Sequence, residues 1–371
     1  ICVDMSRMNQ ILAIHPEDMD VVVQAGVRRQ ELNAALAEHN LFFSVDPGAN
    51  ATVGGMIATR ASGTNTVRYG TMADNVMSLK VVLPNGRFIS TARRARKSSA
   101  GYNLTQLFVG AEGTLGIVTE ATLRVRPIPQ AISAAVVSFP TVAKAVSSVI
   151  RTIQQGVPMA RIELLDEIAI DAVNKYSGFN HPLQPTLFLE FHGTQAGVAE
   201  QAMQVKEIVK PFGGGDFRWT ADADERNQLW HARHNAYYAA LALRPGGKAI
   251  TTDVCVPISK LADCIAQTKA DVAASPLTAP LLGHVGDGNF HLIILIDPEN
   301  AGELAEAKRL NGRLVQRALD MGGTCTGEHG VGLGKQAFLA QEMGEALDLM
   351  HLLKQSIDPA SLLNPGKIFT Q

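Results

Sequence analysis

The sequence predicts an α+β protein of two domains, and three observations carry that expectation. At 371 residues the chain exceeds the size at which a single hydrophobic core usually keeps growing. Its hydrophobic period changes near residue 130, from short strand-like runs among glycines to strands alternating with amphipathic helices. The change falls at Arg124-Val-Arg-Pro-Ile-Pro129, where two prolines disfavour any continuing helix.

Composition narrows the class. Hydrophobic residues make up 46% and charged ones 18%, the balance of an ordinary globular protein. Lys plus Arg number 33 against 35 Asp plus Glu, so no overall field selects nucleic acid or an acidic membrane. Cys2, Cys255, Cys264 and Cys325 are scattered without a C-x-x-C pair. That suits a reducing compartment and argues against a disulfide scaffold or a zinc ribbon. No apolar run approaches the roughly 20 residues a membrane helix needs. The chain opens at Ile1 without an initiator Met, and Ile1 to Met5 already alternate like a strand. We therefore expect the sequence to begin inside a domain.

In the first domain Val21–Val23, Leu79–Val82 and Ile117–Val118 read as strands and Gln30–His39 as a short helix. Between them runs Asp46-Pro-Gly-Ala-Asn-Ala-Thr-Val-Gly-Gly-Met-Ile-Ala, continuing to Ala61-Ser62-Gly63. Its glycines allow close backbone approach and a turn into a helix, with or without a ligand. The basic run Arg93–Lys97 reads as a solvated loop. In the second domain Ala134–Phe139 is a strand, and Val142, Ala145, Val146, Val149, Ile150 and Ile153 follow helical spacing. Strands at 160–164 and 186–191 alternate with helices at 166–176 and 196–210. The alternation repeats through 221–243, 249–257 and 258–274, giving a sheet covered by helices.

The densest chemistry lies in Gly283-His-Val-Gly-Asp-Gly-Asn-Phe-His291. Two histidines seven apart on a regular strand face opposite sides. Three glycines and an Asn imply a turn or bulge instead, which would bring both imidazoles to one site. A second cluster, Gly322-Gly-Thr-Cys-Thr-Gly-Glu-His-Gly-Val-Gly-Leu-Gly334, holds Glu328 and His329 among glycines. Adjacent side chains diverge, so one of this pair suits a ligand and the other the reacting atom. His284, His291 and Glu328 make a two-His, one-carboxylate set fit for Zn²⁺, Mn²⁺ or Fe²⁺. His329 is then the natural general base. Third comes Leu229-Trp-His-Ala-Arg-His-Asn235, where Arg233 sits on a largely apolar helix face. It reads either as a surface ion pair or as a clamp on a substrate carboxylate, with Lys248 adding charge.

Taken together, these segments resemble the FAD-linked oxidases and dehydrogenases of the vanillyl-alcohol-oxidase type. Within that group they are similar to the 2-hydroxy-acid branch. The resemblance covers essentially the whole chain and rests on motifs in order: Pro47-Gly48-Ala49 to Gly54-Gly55-Met56-Ile57-Ala58, Arg68-Tyr69-Gly70-Thr71, Gly110 to Val118, Gly283 to His291, Gly327-Glu-His-Gly330 and Asn364-Pro-Gly-Lys367. It implies an FAD-binding domain over 1–130 that lacks its N-terminal lobe. It further implies a ferredoxin-like α+β substrate or cap domain over 131–345, and a segment 346–371 that returns to the FAD domain through Asn364. FAD would be lined by Pro47, Gly48, Ala49, Thr52, Gly54, Gly55, Ala58, Ser62, Gly63, Tyr69 and Gly70, then by Glu112, Gly113, Gly116, Ile117, Val118 and Asn364. The resemblance assigns a divalent metal, Zn²⁺ or Mn²⁺, to His284, His291 and Glu328, and catalysis to His329. Arg233 and Lys248 match the carboxylate-binding positions. Tyr237 stands where enzymes acting on dicarboxylates tend to carry a small hydroxylated residue, which fits a shorter substrate.

The activity so implied is oxidation of D-lactate or a similar small D-2-hydroxy acid. Electrons would pass to a cytochrome, a quinone or an electron-transferring flavoprotein, and a homodimer is compatible. Location would be cytoplasmic or peripheral at the inner membrane in a bacterium, mitochondrial in a eukaryote. Three rivals carry weight, of which the hydrolase would use the same His and Glu residues. One is a component of a glycolate-oxidising complex or a D-2-hydroxyglutarate dehydrogenase, the second a metal-dependent hydrolase, the third a non-catalytic interaction module. No P-loop and no G-x-G-x-x-G follows a strand, so nicotinamide dependence is not expected.

Overall fold

Alternating apolar side chains on Asp20–Gln24, Val76–Val82 and Ile117–Arg124 build the first core, with Val21, Val23, Leu79, Val81, Ala121 and Leu123 buried on it. The computed structural model describes residues 1–369. Its chain forms two compact units: one of 1–128 together with the segment from 328 onward, the other of 129–327.

The first unit holds a five-stranded antiparallel sheet in the order Ile11–His15, Asp20–Gln24, Ile117–Arg124, Val76–Val82, Phe88–Ser90. Leu32 and Leu36 from the helix Arg29–Ala37, and Val53, Met56 and Ile57 from Val53–Thr59, join the same core. Thr52 caps the second of these helices, its Oγ1 accepting from the Gly55 amide at 3.2 Å. Ile1 to Met5, expected as a strand, is irregular. Among the described residues no strand pairs with it to complete a ladder, so alternation alone did not make a strand. The loop Arg93–Lys97 is exposed as expected, but Arg94 is not merely solvated: it donates to Asp18 (2.7 Å) and to the buried Asp20 (3.0 Å).

The second unit is an antiparallel sheet in the order Arg218–Thr220, Ala131–Ser138, Thr186–Gly193, Met159–Leu165, Leu281–His284, Asn289–Ile296, Lys248–Thr251, with Val254–Cys255 also pairing Asn289–Ile296. Its helices begin where the sequence offers an oxygen for the first amides. Thr141 caps Val142–Gln154, Asp166 caps Glu167–Ser177, Thr194 caps Gln195–Val209 and Asp222 caps Ala223–His234. Trp230, Ala236 and Ala239 from the last of these and from Ala236–Ala242 share a core with Ala169 and Val173 and with Leu165, Phe188, Leu282 and Ile293 of the sheet. One face of the sheet is thereby dry where the helices cover it, which sets the environment of every polar group on that face.

Candidate active site

The strands Leu281–His284 and Asn289–Ile296 form a hairpin whose turn spans 285–288. Gly288 makes the turn possible: its φ is +82°, and a Cβ there would lie 2.1 Å from the Val256 carbonyl oxygen. His284 pairs with Asn289 and Leu282 with His291, so the two histidines are diagonal neighbours on one face. Their ring centroids are 5.6 Å apart, and a ring nitrogen of each lies within 4.8 Å of one on the other. The forced turn read from the glycines thus does bring both imidazoles together.

Each ring is oriented by its Nδ1. His291 Nδ1 lies 2.9 Å from the Thr252 carbonyl oxygen; a carbonyl only accepts, so Nδ1 carries the proton and donates. His284 Nδ1 donates likewise to Glu163 Oε1 at 2.7 Å. Both imidazoles therefore present Nε2 as the lone-pair atom, the posture of metal-ligating histidines held by an outer acceptor. The donor set of this face fits a divalent metal.

Glu163 is the residue that the sequence reading missed. It is fully buried on the strand Met159–Leu165, and its Oε2 accepts from Arg233 Nε at 2.8 Å and Nη2 at 2.6 Å. Burial pushes its carboxyl up, and the Arg233 guanidinium together with the hydrogen bonds from His284 and Arg233 more than offset that, holding it below the ordinary carboxylate range. The available signal was Arg161-Ile-Glu163-Leu164-Leu165, where charged residues occupy alternate positions of an otherwise apolar strand. Arg233 is only 8% exposed, so its partner is a buried carboxylate and the surface-pair reading does not hold.

Beside the hairpin, Asp253 Oδ1 accepts from Asn289 Nδ2 (2.9 Å) and Oδ2 from the Thr326 hydroxyl (2.8 Å). Gly327 lies against this pair: a Cβ there would come 2.1 Å from Asn289 Nδ2. Tyr237 is 40% exposed, edge-on to Tyr238. Lys248 pairs with Ile296, five positions along the strand from His291. That is about 16 Å away and on the opposite face, so the structure does not bring Lys248 to the histidine pair.

Glu328 and His329 open the second segment of the first unit. Ser62, expected to line flavin, donates its hydroxyl to Glu328 Oε2 at 2.5 Å. The His329 side chain is 47% exposed, with Nε2 3.8 Å from Glu328 Oε1. Glu112, also expected to line flavin, accepts with its carboxylate from the amides of Val331 (2.6 Å) and Gly332 (2.9 Å), while its carbonyl accepts from Asn364 Nδ2 (2.6 Å). These bonds tie the segment from 328 onward to the first unit, so the return to that unit falls at 328 rather than 346. Glu112→Ala is expected to speed hydrogen exchange at the Val331 and Gly332 amides by about tenfold or more, since both lose their acceptor. Unchanged protection would show that the strap holds nothing.

The remaining expected flavin residues lie along the same unit. Pro47, Gly48 and Ala49 precede the helix Val53–Thr59, and Gly48, Ala49 and Gly55 are exposed. Gly54 packs on Ala25 and Gly63 on the Asp46 backbone. Ala58 lies within that helix; Tyr69 meets Phe42 edge-on at 5.5 Å, with Gly70 next to it. Gly113 lies beside Asn364 and Gly116 beside Val81, just before Ile117 and Val118 enter the central strand. An exposed stretch with no side chain larger than a methyl at Gly48, Ala49 and Gly55 suits a cofactor bound through backbone.

This glycine-lined unit and the sheet bearing the paired imidazoles define a flavoenzyme fold, and the chain belongs to the FAD-linked oxidase family. Residues 128–368 match the family model for FAD linked oxidases, C-terminal domain, and residues 1–92 that for the FAD binding domain. It is similar to a probable mitochondrial D-lactate dehydrogenase of Danio rerio, 52% identical over 372 residues, covering 99% of this chain and 75% of that one. A mitochondrial D-lactate dehydrogenase (cytochrome) of Arabidopsis thaliana is 50% identical over 99% of this chain, which spans 65% of that protein's length. Among solved structures, a 4-ethylphenol oxidase from Gulosibacter chungangensis superposes with a TM-score of 0.78 at 15% identity, covering 98% of this chain and 79% of the other. That likeness is one of fold, and it is the vanillyl-alcohol-oxidase-type fold expected from the motifs. No helix among the described residues is long and apolar enough to cross a membrane.

Proposed function

We propose that this chain oxidises D-lactate to pyruvate as an FAD-dependent dehydrogenase assisted by a divalent metal. The observation that carries the reading is the paired imidazoles of His284 and His291, both turned with Nε2 outward by acceptors on Nδ1. The high identity to D-lactate dehydrogenases over nearly the whole chain supports the substrate. When bound, the flavin supplies a two-electron acceptor and the metal, Zn²⁺ or Mn²⁺, supplies Lewis acidity.

The protein's own residues do the rest. His284 and His291 would hold the metal, and Glu328 is the carboxylate we assign to the same set. Arg233 has Nε and Nη2 committed to Glu163, and its Nη1 group is the one we assign to the substrate carboxylate. His329 takes the proton of the α-hydroxyl as the α-hydrogen leaves with its electron pair. Two electrons and two protons are removed, and the 2-oxo acid departs. The two electrons would go on to a cytochrome, a quinone or an electron-transferring flavoprotein, in the mitochondrion if the host is a eukaryote.

The test is the flavin absorbance band of the FAD-loaded protein under anaerobic conditions, with D-lactate, L-lactate, glycolate and D-2-hydroxyglutarate added separately. Selective bleaching by D-lactate is expected. Bleaching by glycolate or D-2-hydroxyglutarate instead would keep the chemistry and change the substrate. A loaded protein bleached by none of them would end the 2-hydroxy-acid reading.

A further inference from the structure

We propose that Glu163 is a positioning residue that fixes the His284 tautomer and, through it, metal affinity. The inference rests on the reading of His284 as a metal ligand. Three observations carry it. Glu163 is 0% exposed, so no water competes for its oxygens. Its two oxygens are divided: Oε1 accepts from His284 Nδ1 at 2.7 Å, and Oε2 accepts from Arg233 Nε and Nη2 at 2.8 and 2.6 Å. Its place is set by the sheet, since Leu164 pairs with Gly283 and Leu165 with Leu282, which makes Glu163 the cross-strand neighbour of His284.

A carboxylate has two accepting oxygens, and this site uses both. An amide has one acceptor and one donor. In Glu163→Gln the cationic Arg233 takes the amide oxygen, because a charged donor forms the stronger bond. The amide NH₂ then faces His284 Nδ1, which must accept. The imidazole proton moves to Nε2, the atom that would ligate the metal. Binding then requires the tautomer to revert and the Nδ1 bond to break, which is how the loss of an outer partner typically weakens a site by about 10- to 100-fold.

The same logic predicts a rescue. In the double variant Glu163→Gln with Arg233→Met, no charge claims the amide oxygen, so it turns to His284 and accepts from Nδ1 as the carboxylate did. Metal affinity should return toward the wild-type value, although two native interactions have been removed. A purely structural role for Glu163 predicts the reverse, with the double variant weaker than the single.

The experiment is a titration of the metal-stripped, flavin-loaded protein with Zn²⁺, and separately with Mn²⁺, against a competing chromophoric chelator. The expected result is a Kd weakened about 10- to 100-fold in Glu163→Gln and recovered in the double variant. ¹⁵N shifts of the His284 ring should report a protonated Nδ1 in wild type and a protonated Nε2 in the single variant, before any metal is added. Equal affinity of wild type and Glu163→Gln would overturn the role of Glu163 and leave the metal reading standing. A single variant that binds weakly with no recovery in the double would also overturn it. A wild-type protein that takes up neither ion would remove the metal reading itself, and this inference with it.

Discussion

His329→Ala is expected to slow reduction of the bound flavin by D-lactate by about 10²- to 10⁴-fold, the usual contribution of a positioned general base. Flavin content should hardly change. The side chain is 47% exposed, so its removal opens no core cavity. The neighbouring Glu328 is held independently by the Ser62 hydroxyl, and the segment beyond it by the Glu112 carboxylate. What the variant loses is the acceptor for the α-hydroxyl proton. Anaerobic stopped-flow separates this from product release, because a single turnover reads the chemical step alone. A variant that reduces its flavin at the wild-type rate would remove His329 from the role of base.

How far the site could be read from sequence depends on how local each interaction is. The His284–His291 pair was legible because it lies within one hairpin, and the glycines that force the turn are in the same nine residues. The caps are equally local, Thr141, Asp166, Thr194 and Asp222 each capping amides two or three positions away, although the sequence reading placed these helices by their spacing alone. Glu163 was not legible, because its bond to His284 spans 121 positions and depends on which strands are neighbours in the sheet. Arg233 drew notice as a charge on an apolar helix face, but its partner lies 70 positions away. Lys248 was carried by its charge and by the family resemblance, and only the register with Ile296 places it on the face opposite His291. Glu112 was expected only to line flavin, whereas its carboxylate serves the Val331 and Gly332 amides, a contact across 219 and 220 positions, and its carbonyl the Asn364 amide.

Arg233→Met should cost both stability and substrate affinity, and the two losses can be told apart. Glu163 is fully buried and its oxygens face Arg233 and His284 in hydrogen bonds. Removing one partner of a buried ion pair leaves an uncompensated charge and typically costs about 3–5 kcal/mol. Here His284 still serves one oxygen, so a value near the low end, about 3 kcal/mol, is expected in denaturant unfolding. Arg233→Lys should recover little, because a single ammonium cannot reproduce the two donors, Nε and Nη2, that converge on Oε2. Pairing Arg233→Met with Glu163→Gln neutralises the site and should return most of the stability, as replacement of both members of a buried pair often does. Substrate affinity behaves differently. If Arg233 also grips the substrate carboxylate, KM for D-lactate stays raised in the double variant even though stability and metal binding have returned. A double variant with wild-type KM would confine Arg233 to supporting Glu163, and the carboxylate of the substrate would then need another cation.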